Sequence, residues 1–199
     1  NEIWFAMNGY ERRVCRTDEV FIPGPHNLEN ALGAVCVAAA MNVPAPVIRH
    51  SLKTFRGVEH RIESVRELDG IEYINDSKGT NPDSTIKAVQ TMSQPTVIIL
   101  GGYDKHASFD ALSREIVNSP MIRQAVLIGE TAGLIRHSLE RVGFSAIAEA
   151  GSLKEAVEVS RKLARKGWCV LLSPACASFD MFRDYEERGR VFKEIVQAL

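Results

Sequence analysis

Residues 71–83 read IEYINDSKGTNPD, and this stretch decides the fold. Ile71, Tyr73 and Ile74 form a short apolar strand pattern that ends in Asn75, Asp76, Ser77, Lys78, Thr80 and Asn81. Asn81-Pro82-Asp83 then reads as a helix start: Asn as N-cap, Pro at the first helical position, an acid in the first turn. A strand that delivers a carboxylate, an amine and two hydroxyls to the mouth of a helix is built like a site. The plainer alternative is a solvated loop with a good N-cap, because short motifs carry false positives.

Working outward, strand patterns at 62–68 and 71–75 predict a hairpin around Asp69-Gly70. Further strands are predicted at 96–100, 125–128, 145–148 and 168–172. Helical patterns lie between them at 82–92, 108–118, 131–141, 152–165 and 186–198. Ser152-Leu153-Lys154-Glu155 fits a capping box. The continuous apolar runs VIIL and CVLL suggest burial on both faces, as in a parallel sheet. This alternation predicts an α/β fold: a Rossmann-like, open, mostly parallel sheet with helices on both faces.

The chain divides near residue 58. Before it, residues 1–22 read as short strands, with alternation at 3–7 and 19–22, and a Pro-Gly-Pro turn follows at 23–25. Residues 27–41 form a helix apolar on most sides, which demands burial; a shorter helix covers 46–55. Residues 1–57 are too few to enclose such a helix. They read as the tail of a larger domain, and the missing initiator Met fits a piece of a longer chain.

Composition sets broad limits. The 199 residues carry a net charge of −1, which gives no electrostatic case for nucleic acid or an anionic membrane. No apolar run could span a bilayer, and no basic, apolar leader is present. The four Cys form no C-x-x-C pair and the five His show no metal spacing, so a reduced, cytoplasmic protein is expected. Neither a dinucleotide fingerprint nor a P-loop occurs.

Open α/β sheets bind ligands beyond the carboxyl ends of their strands. Asp76, Ser77 and Lys78 follow one strand; Gly101, Gly102, Asp104 and Lys105 follow another; Ser173 to Ser178 follow the last. These groups are expected on one edge, with the glycines allowing close backbone approach to an anionic ligand.

The residues also carry a resemblance. H-N-L-E-N-A (26–31), G-V-E-H-R (57–61), N-D-S-K-G-T-N-P (75–82), G-G-Y-D-K (101–105), L-S-P-A-C-A-S-F-D (172–180) and Y-E-E-R-G (185–189) resemble the Mur ligases, in order and with family spacing from about residue 20 onward. The resemblance is strongest to the branch that adds D-glutamate to UDP-N-acetylmuramoyl-L-alanine in peptidoglycan synthesis. It implies that ATP phosphorylates a substrate carboxylate and that the D-glutamate amine attacks the acyl phosphate. It also implies that residues 1–57 end a central ATP-binding domain and that 58–199 form the C-terminal ligase domain. Closure near Arg56-Gly57-Val58 would bring that domain over the site.

Residue roles follow from the same resemblance. Asn27 and Asn30 match positions that approach adenine, Arg61 reaches the nucleotide, and Asp76 meets ribose or nucleotide. Lys78 and Thr80 face D-glutamate. Lys105, Ser173 and Phe179 line the amino-acid pocket. Lys78, Asp76 and Arg61 are the expected catalytic set, with ATP and Mg2+ as cofactors held mainly by an upstream domain. Without a P-loop this chain is expected to be inactive alone, and a monomer. His60 is read as orienting the loop before Arg61, Cys176 as packing, and Tyr185 to Arg188 as a helix start with dipole-matched charges. A related ligase for another amino acid, a non-catalytic nucleotide or acidic amino-acid binding module, and a docking scaffold are the remaining alternatives.

Overall fold

A computed structural model describes residues 1–7 and 9–199, which form two compact units, Asn1–Gly57 and Val58–Leu199. The first holds an antiparallel pair, β1 (Glu2–Met7) and β2 (Tyr10–Arg16), and two helices, α1 (Pro25–Ala40) and α2 (Ala45–Thr54). Its core is Ile3, Val14, Cys15, Val35, Ala39 and Ile48.

One expectation fails in this unit. Residues 19–22 are not a strand. Glu19 closes a short 3-10 turn at Thr17–Glu19, accepting from the Arg16 amide at 2.9 Å and from the Arg49 guanidinium, and Phe21 N–H bonds Leu52 O of α2 at 3.0 Å. The partner of β1 is instead the charged run YERRVCR, whose inward-facing Val14 and Cys15 are its only buried residues. Helix α1 buries only one stripe (Ala31, Val35, Ala39) against this unit, in line with a segment too small to enclose it. Val37 and Met41 are 63% and 73% exposed. It starts at Pro25, capped by Gly24, so Asn27 lies inside its first turn.

The second unit is the predicted mostly parallel α/β sheet. Its strands are β3 (Glu63–Leu68), β4 (Ile71–Asn75), β5 (Thr96–Gly101), β6 (Ile122–Ile128), β7 (Ile147–Glu149) and β8 (Cys169–Leu172). They lie in the order β3-β4-β8-β5-β6-β7, and only the β3–β4 hairpin is antiparallel. Asp69 and Gly70 turn that hairpin with φ of 56° and 74°, as a two-residue turn matched to strand twist requires. The helices are α3 (Pro82–Thr91), α4 (Asp110–Asn118), α5 (Ala132–Arg141), α6 (Leu153–Leu163) and α7 (Tyr185–Gln197).

Alternate residues of each central strand serve different cores, which is why those strands are apolar without a break. Ile98, Leu100, Leu127 and Leu171 pack with Val89 of α3, Leu112 of α4 and Leu139 of α5. Val97, Ile99, Val126 and Leu172 pack with Val157 of α6 and Phe192 of α7. Asn81 caps α3 by accepting from Ser84 N–H at 2.9 Å, and Ser152 caps α6 by accepting from Glu155 N–H at 3.2 Å. Glu155 returns its carboxylate to the Gly151 amide at 2.7 Å, one residue earlier than a capping box would have it.

The sheet order positions the site. Strand β8, last in sequence, inserts between β4 and β5, so the chain ends leaving β4, β8 and β5 are adjacent. This is the crevice where open α/β sheets bind ligands.

Candidate functional site

Asp76 leaves β4 nearly buried, 4% exposed. One carboxylate oxygen accepts from Ser173 Oγ–H at 2.7 Å and the other from Ile62 N–H at 3.2 Å. Ser173 is fully buried beside it, with Thr85 Oγ1 3.0 Å from its Oγ. Burial pushes the Asp76 carboxyl up to about 6, against the opposing hydrogen bonds from Ser173 and Ile62 and the charges of Arg61 and Arg188. The structure therefore joins Asp76 and Ser173 but directs both inward. Ser173, expected in the amino-acid pocket, presents no open surface in this unit, because its hydroxyl is used by Asp76 and Thr85. Arg61, next to Ile62, is exposed.

Arg188 lies under the loops. Its side chain is fully buried, with Nε donating to Ser77 Oγ at 2.9 Å, Nη2 to Ser77 O at 2.8 Å, and Nη1 to Cys176 O at 3.0 Å. One planar fork thus ties the β4 loop, the β8 loop and α7 together. Burial lowers its pKa to about 10, so it stays charged at neutral pH. Tyr185 to Arg188 do open α7, with Glu186 and Glu187 in its first turn and Asp184 capping it by accepting from Glu187 N–H at 2.7 Å.

His60 is buried with a positive φ of 64°, and its Nδ1 meets Asn75 Nδ2 at 2.9 Å. Its carbonyl accepts from Lys78 N–H at 3.0 Å, so it braces the loops carrying Arg61 and Lys78. Glu59, His60 and Glu63 are close enough to resemble metal ligands. The Lys193 ammonium occupies that place, donating to Glu59 at 2.9 Å and to Glu63 at 2.7 Å.

Lys78, partly buried, donates to Tyr185 Oη at 2.9 Å and sits 4.6 Å from the centre of its ring. Thr80 and Lys105 line one small cleft with Asn81, Tyr103 and Ala175 to Ala177. Phe179, 61% exposed, meets Tyr103 edge-on at 6.0 Å, and Lys105 Nζ lies 5.9 Å from its ring centre. Asp104 is paired with His106, its carboxylate 3.5 Å from Nδ1, and not with Lys105. Gly101 and Gly102 do not serve ligand approach. A Cβ on either would run into the protein's own backbone, at the Ile128 and Ala177 carbonyls. Cys176 packs against Thr131 at 3.2 Å, and burial pushes its thiol up to about 11, far from a nucleophile's range.

Asn27 and Asn30 belong to the first unit. The Asn27 amide donates to Pro23 O at 2.7 Å, and Asn30 is exposed, its amide 3.5 Å from Asn27 Oδ1.

Three contributors are not evident from sequence: Tyr185, Arg188 and Tyr103. Ser178 is buried, and among the described residues its hydroxyl has no partner. The S-P-A-C-A-S run offers two serines to the site, and burial of the first behind Asp76 is a tertiary fact.

The profile of the family described as "Mur ligase, glutamate ligase domain" matches residues 60–176, well over half of the chain. The chain belongs to the Mur ligase family. Curated relatives named UDP-N-acetylmuramoylalanine–D-glutamate ligase include one from Pelotomaculum thermopropionicum, 48% identical over 194 residues, covering 98% of this chain and 42% of that protein. One from Clostridioides difficile is 47% identical over 187 residues, covering 94% of this chain and 41% of that protein. This Mur ligase chain thus spans about two fifths of the length of the relatives it matches. A solved UDP-N-acetylmuramate-alanine ligase, MurC of Thermotoga maritima, shares the fold with a TM-score of 0.67 at 20% identity, covering 95% of this chain and 40% of its own. FolC of E. coli, solved in complex with ADP, gives a TM-score of 0.59 at 15% identity, covering 85% of this chain and 39% of its own. No helix among the described residues is long and apolar enough to cross a membrane.

Proposed function

We propose that this chain is the C-terminal part of an ATP-dependent ligase that joins D-glutamate to UDP-N-acetylmuramoyl-L-alanine through an acyl phosphate. The observation that carries the reading is that Thr80 and Lys105 line one cleft, with the Phe179 ring 5.9 Å from Lys105 Nζ, while Lys78 and the braced Asp76–Ser173 pair stand on the adjoining strand ends. Two ammonium groups suit an acceptor with two carboxylates, and an exposed aromatic edge suits its methylene stem. The names of relatives near 48% identity support the same substrates.

In this reading residues 58–199 belong to the amino-acid-binding domain and residues 1–57 to the end of the ATP-binding domain. Asn27 and Asn30 approach adenine, and Arg61 offsets nucleotide phosphate charge. Asp76 acts from beneath, holding the Ile62 amide and so the loop that presents Arg61. Lys78 neutralises an acceptor carboxylate as its amine attacks the acyl phosphate carbon, and phosphate leaves with the cleaved C–O bonding pair.

When bound, ATP would supply the phosphoryl group, and in the second unit the exposed Arg61 guanidinium suits its phosphates. Mg2+ does not fit the residues present. It prefers an octahedron of oxygens, and the one ligand-like group among the described residues, Glu59–His60–Glu63, already holds the Lys193 ammonium.

The test is ATP-dependent phosphate release by the full-length protein, with this 199-residue chain in parallel. UDP-N-acetylmuramoyl-L-alanine is the donor, and D-Glu, L-Glu, D-Asp and D-Lys are the acceptors. Release with D-Glu by the full-length protein alone is expected. A folded full-length protein that releases none with any acceptor sinks the reading and leaves a binding module in front.

A further inference from the structure

We propose that Tyr185 is a positioning residue whose phenol hydroxyl holds the Lys78 ammonium ready for the carboxylate of the acidic acceptor. The inference rests on the ligase reading above and adds a residue that reading did not contain.

The ammonium lies 2.9 Å from Tyr185 Oη and 4.6 Å from the ring centre, so one N–H is spent on the phenol and the charge rests near the aromatic face. An ammonium has three donors. Among the described residues no carboxylate lies within 4.0 Å of it, so its remaining donors are not spent on an ion pair and can serve a ligand anion.

The phenol itself is fixed from several sides. Tyr185 O accepts from Ser77 Oγ–H at 2.8 Å, and Ser77 Oγ accepts in turn from the buried Arg188 Nε at 2.9 Å. The ring stands edge-on to His60, centroids 6.3 Å apart at 84°. The backbone of Lys78 is tied to the same histidine through its N–H, 3.0 Å from His60 O. Both ends of the Lys78–Tyr185 contact thus hang from one rigid framework. A lysine free to rotate loses rotamer freedom when it clamps an anion, and one already held does not. The hydroxyl therefore acts on acceptor affinity through Lys78 and touches no reacting atom.

Tyr185→Phe in the full-length protein tests this, since it keeps ring, shape and cation–π contact and removes one oxygen. The Michaelis constant for the acidic acceptor should rise about two- to tenfold, the cost of ordering one long side chain. Turnover should stay within twofold and the constant for ATP should not move. In a Lys78→Met background Tyr185→Phe should add nothing.

A readout without turnover accompanies it. The Lys78 ammonium should give an observable 15N–1H signal, identified by its loss in Lys78→Arg, and Tyr185→Phe should broaden or remove it. An active wild type whose acceptor constant and lysine signal are both indifferent to Tyr185→Phe overturns this inference alone. An equal rise in the Lys78→Met background overturns it as well, because the tyrosine would then act elsewhere. A full-length protein that uses no acidic acceptor fells the ligase reading and this role with it.

Discussion

Asp76 is the residue with the sharpest consequence for solution behaviour. An exposed Asp ionises near 3.9, whereas burial holds this one up to about 6. Between those values the native state binds the extra proton and the unfolded chain does not. The contribution to stability is therefore full below about pH 4 and is lost as pH rises through 6. Two units correspond to roughly 3 kcal/mol. Asp76→Asn removes the titration, so urea unfolding at pH 4 and pH 7.5 should show the variant gaining on the wild type by about that much at the higher pH. Parallel curves would refute it. Arg188 makes the opposite kind of contribution, and its charge is secondary to its fork. Arg188→Met would strand Ser77 O and Cys176 O in a dry site, at a cost of roughly 3–5 kcal/mol. Arg188→Lys should recover only part, because one ammonium cannot span both loops; equal urea midpoints for Met and wild type would sink the idea. Asp76 was legible as a site residue because it stands in a polar cluster at a strand end. Arg188 was not, because an arginine in a first helical turn with two glutamates looks the same whether it points to water or inward.

At the scale of elements, α7 matters most, because it carries Tyr185 and Arg188 in its first turn and anchors through its apolar face. Phe192 and Val196 are fully buried in the core shared with Tyr73, Val170 and Leu172. Phe192→Ala should cost about 3–5 kcal/mol through lost burial and the remaining cavity. Phe192→Leu should cost less than about 2 kcal/mol, because most of the volume is kept. Chemical denaturation of the pair measures the difference, and an alanine variant as stable as the leucine variant would mean that α7 is anchored elsewhere. Most elements of this unit were legible in sequence because local signals agreed: caps at Asn81 and Ser152, a turn at Asp69-Gly70, unbroken apolar strands. Strand β2 was legible only as part of the stretch 1–22, since its exposed face of Tyr10, Glu11 and Arg13 masks two buried positions. The place of β8 between β4 and β5 was not legible. Strand order is fixed by crossover connections and by which apolar faces meet, and no local pattern encodes it. That order is what converts three separate polar loops into one site.

At the scale of the whole molecule, the chain consists of two units joined at Gly57-Val58. Gly57 has φ of +95°, a conformation that residues with a side chain rarely adopt, and proline, locked near −65°, cannot. In the proposed ligase the two units belong to different domains, and a closing step must change backbone angles near this joint. Gly57→Pro forces a different φ at a position with no helix or strand hydrogen bonds to lose, so the main effect should fall on the motion and not on folding. In the full-length protein, turnover should fall by an order of magnitude or more, as expected when a closing step becomes limiting. Each unit should keep its own thermal transition, since the core of Val58–Leu199 is remote in sequence from the substitution. Unchanged turnover would place the joint elsewhere. A loss of turnover accompanied by a collapsed thermal transition of the second unit would show instead that Gly57 supports the fold, and the hinge assignment would fall with it.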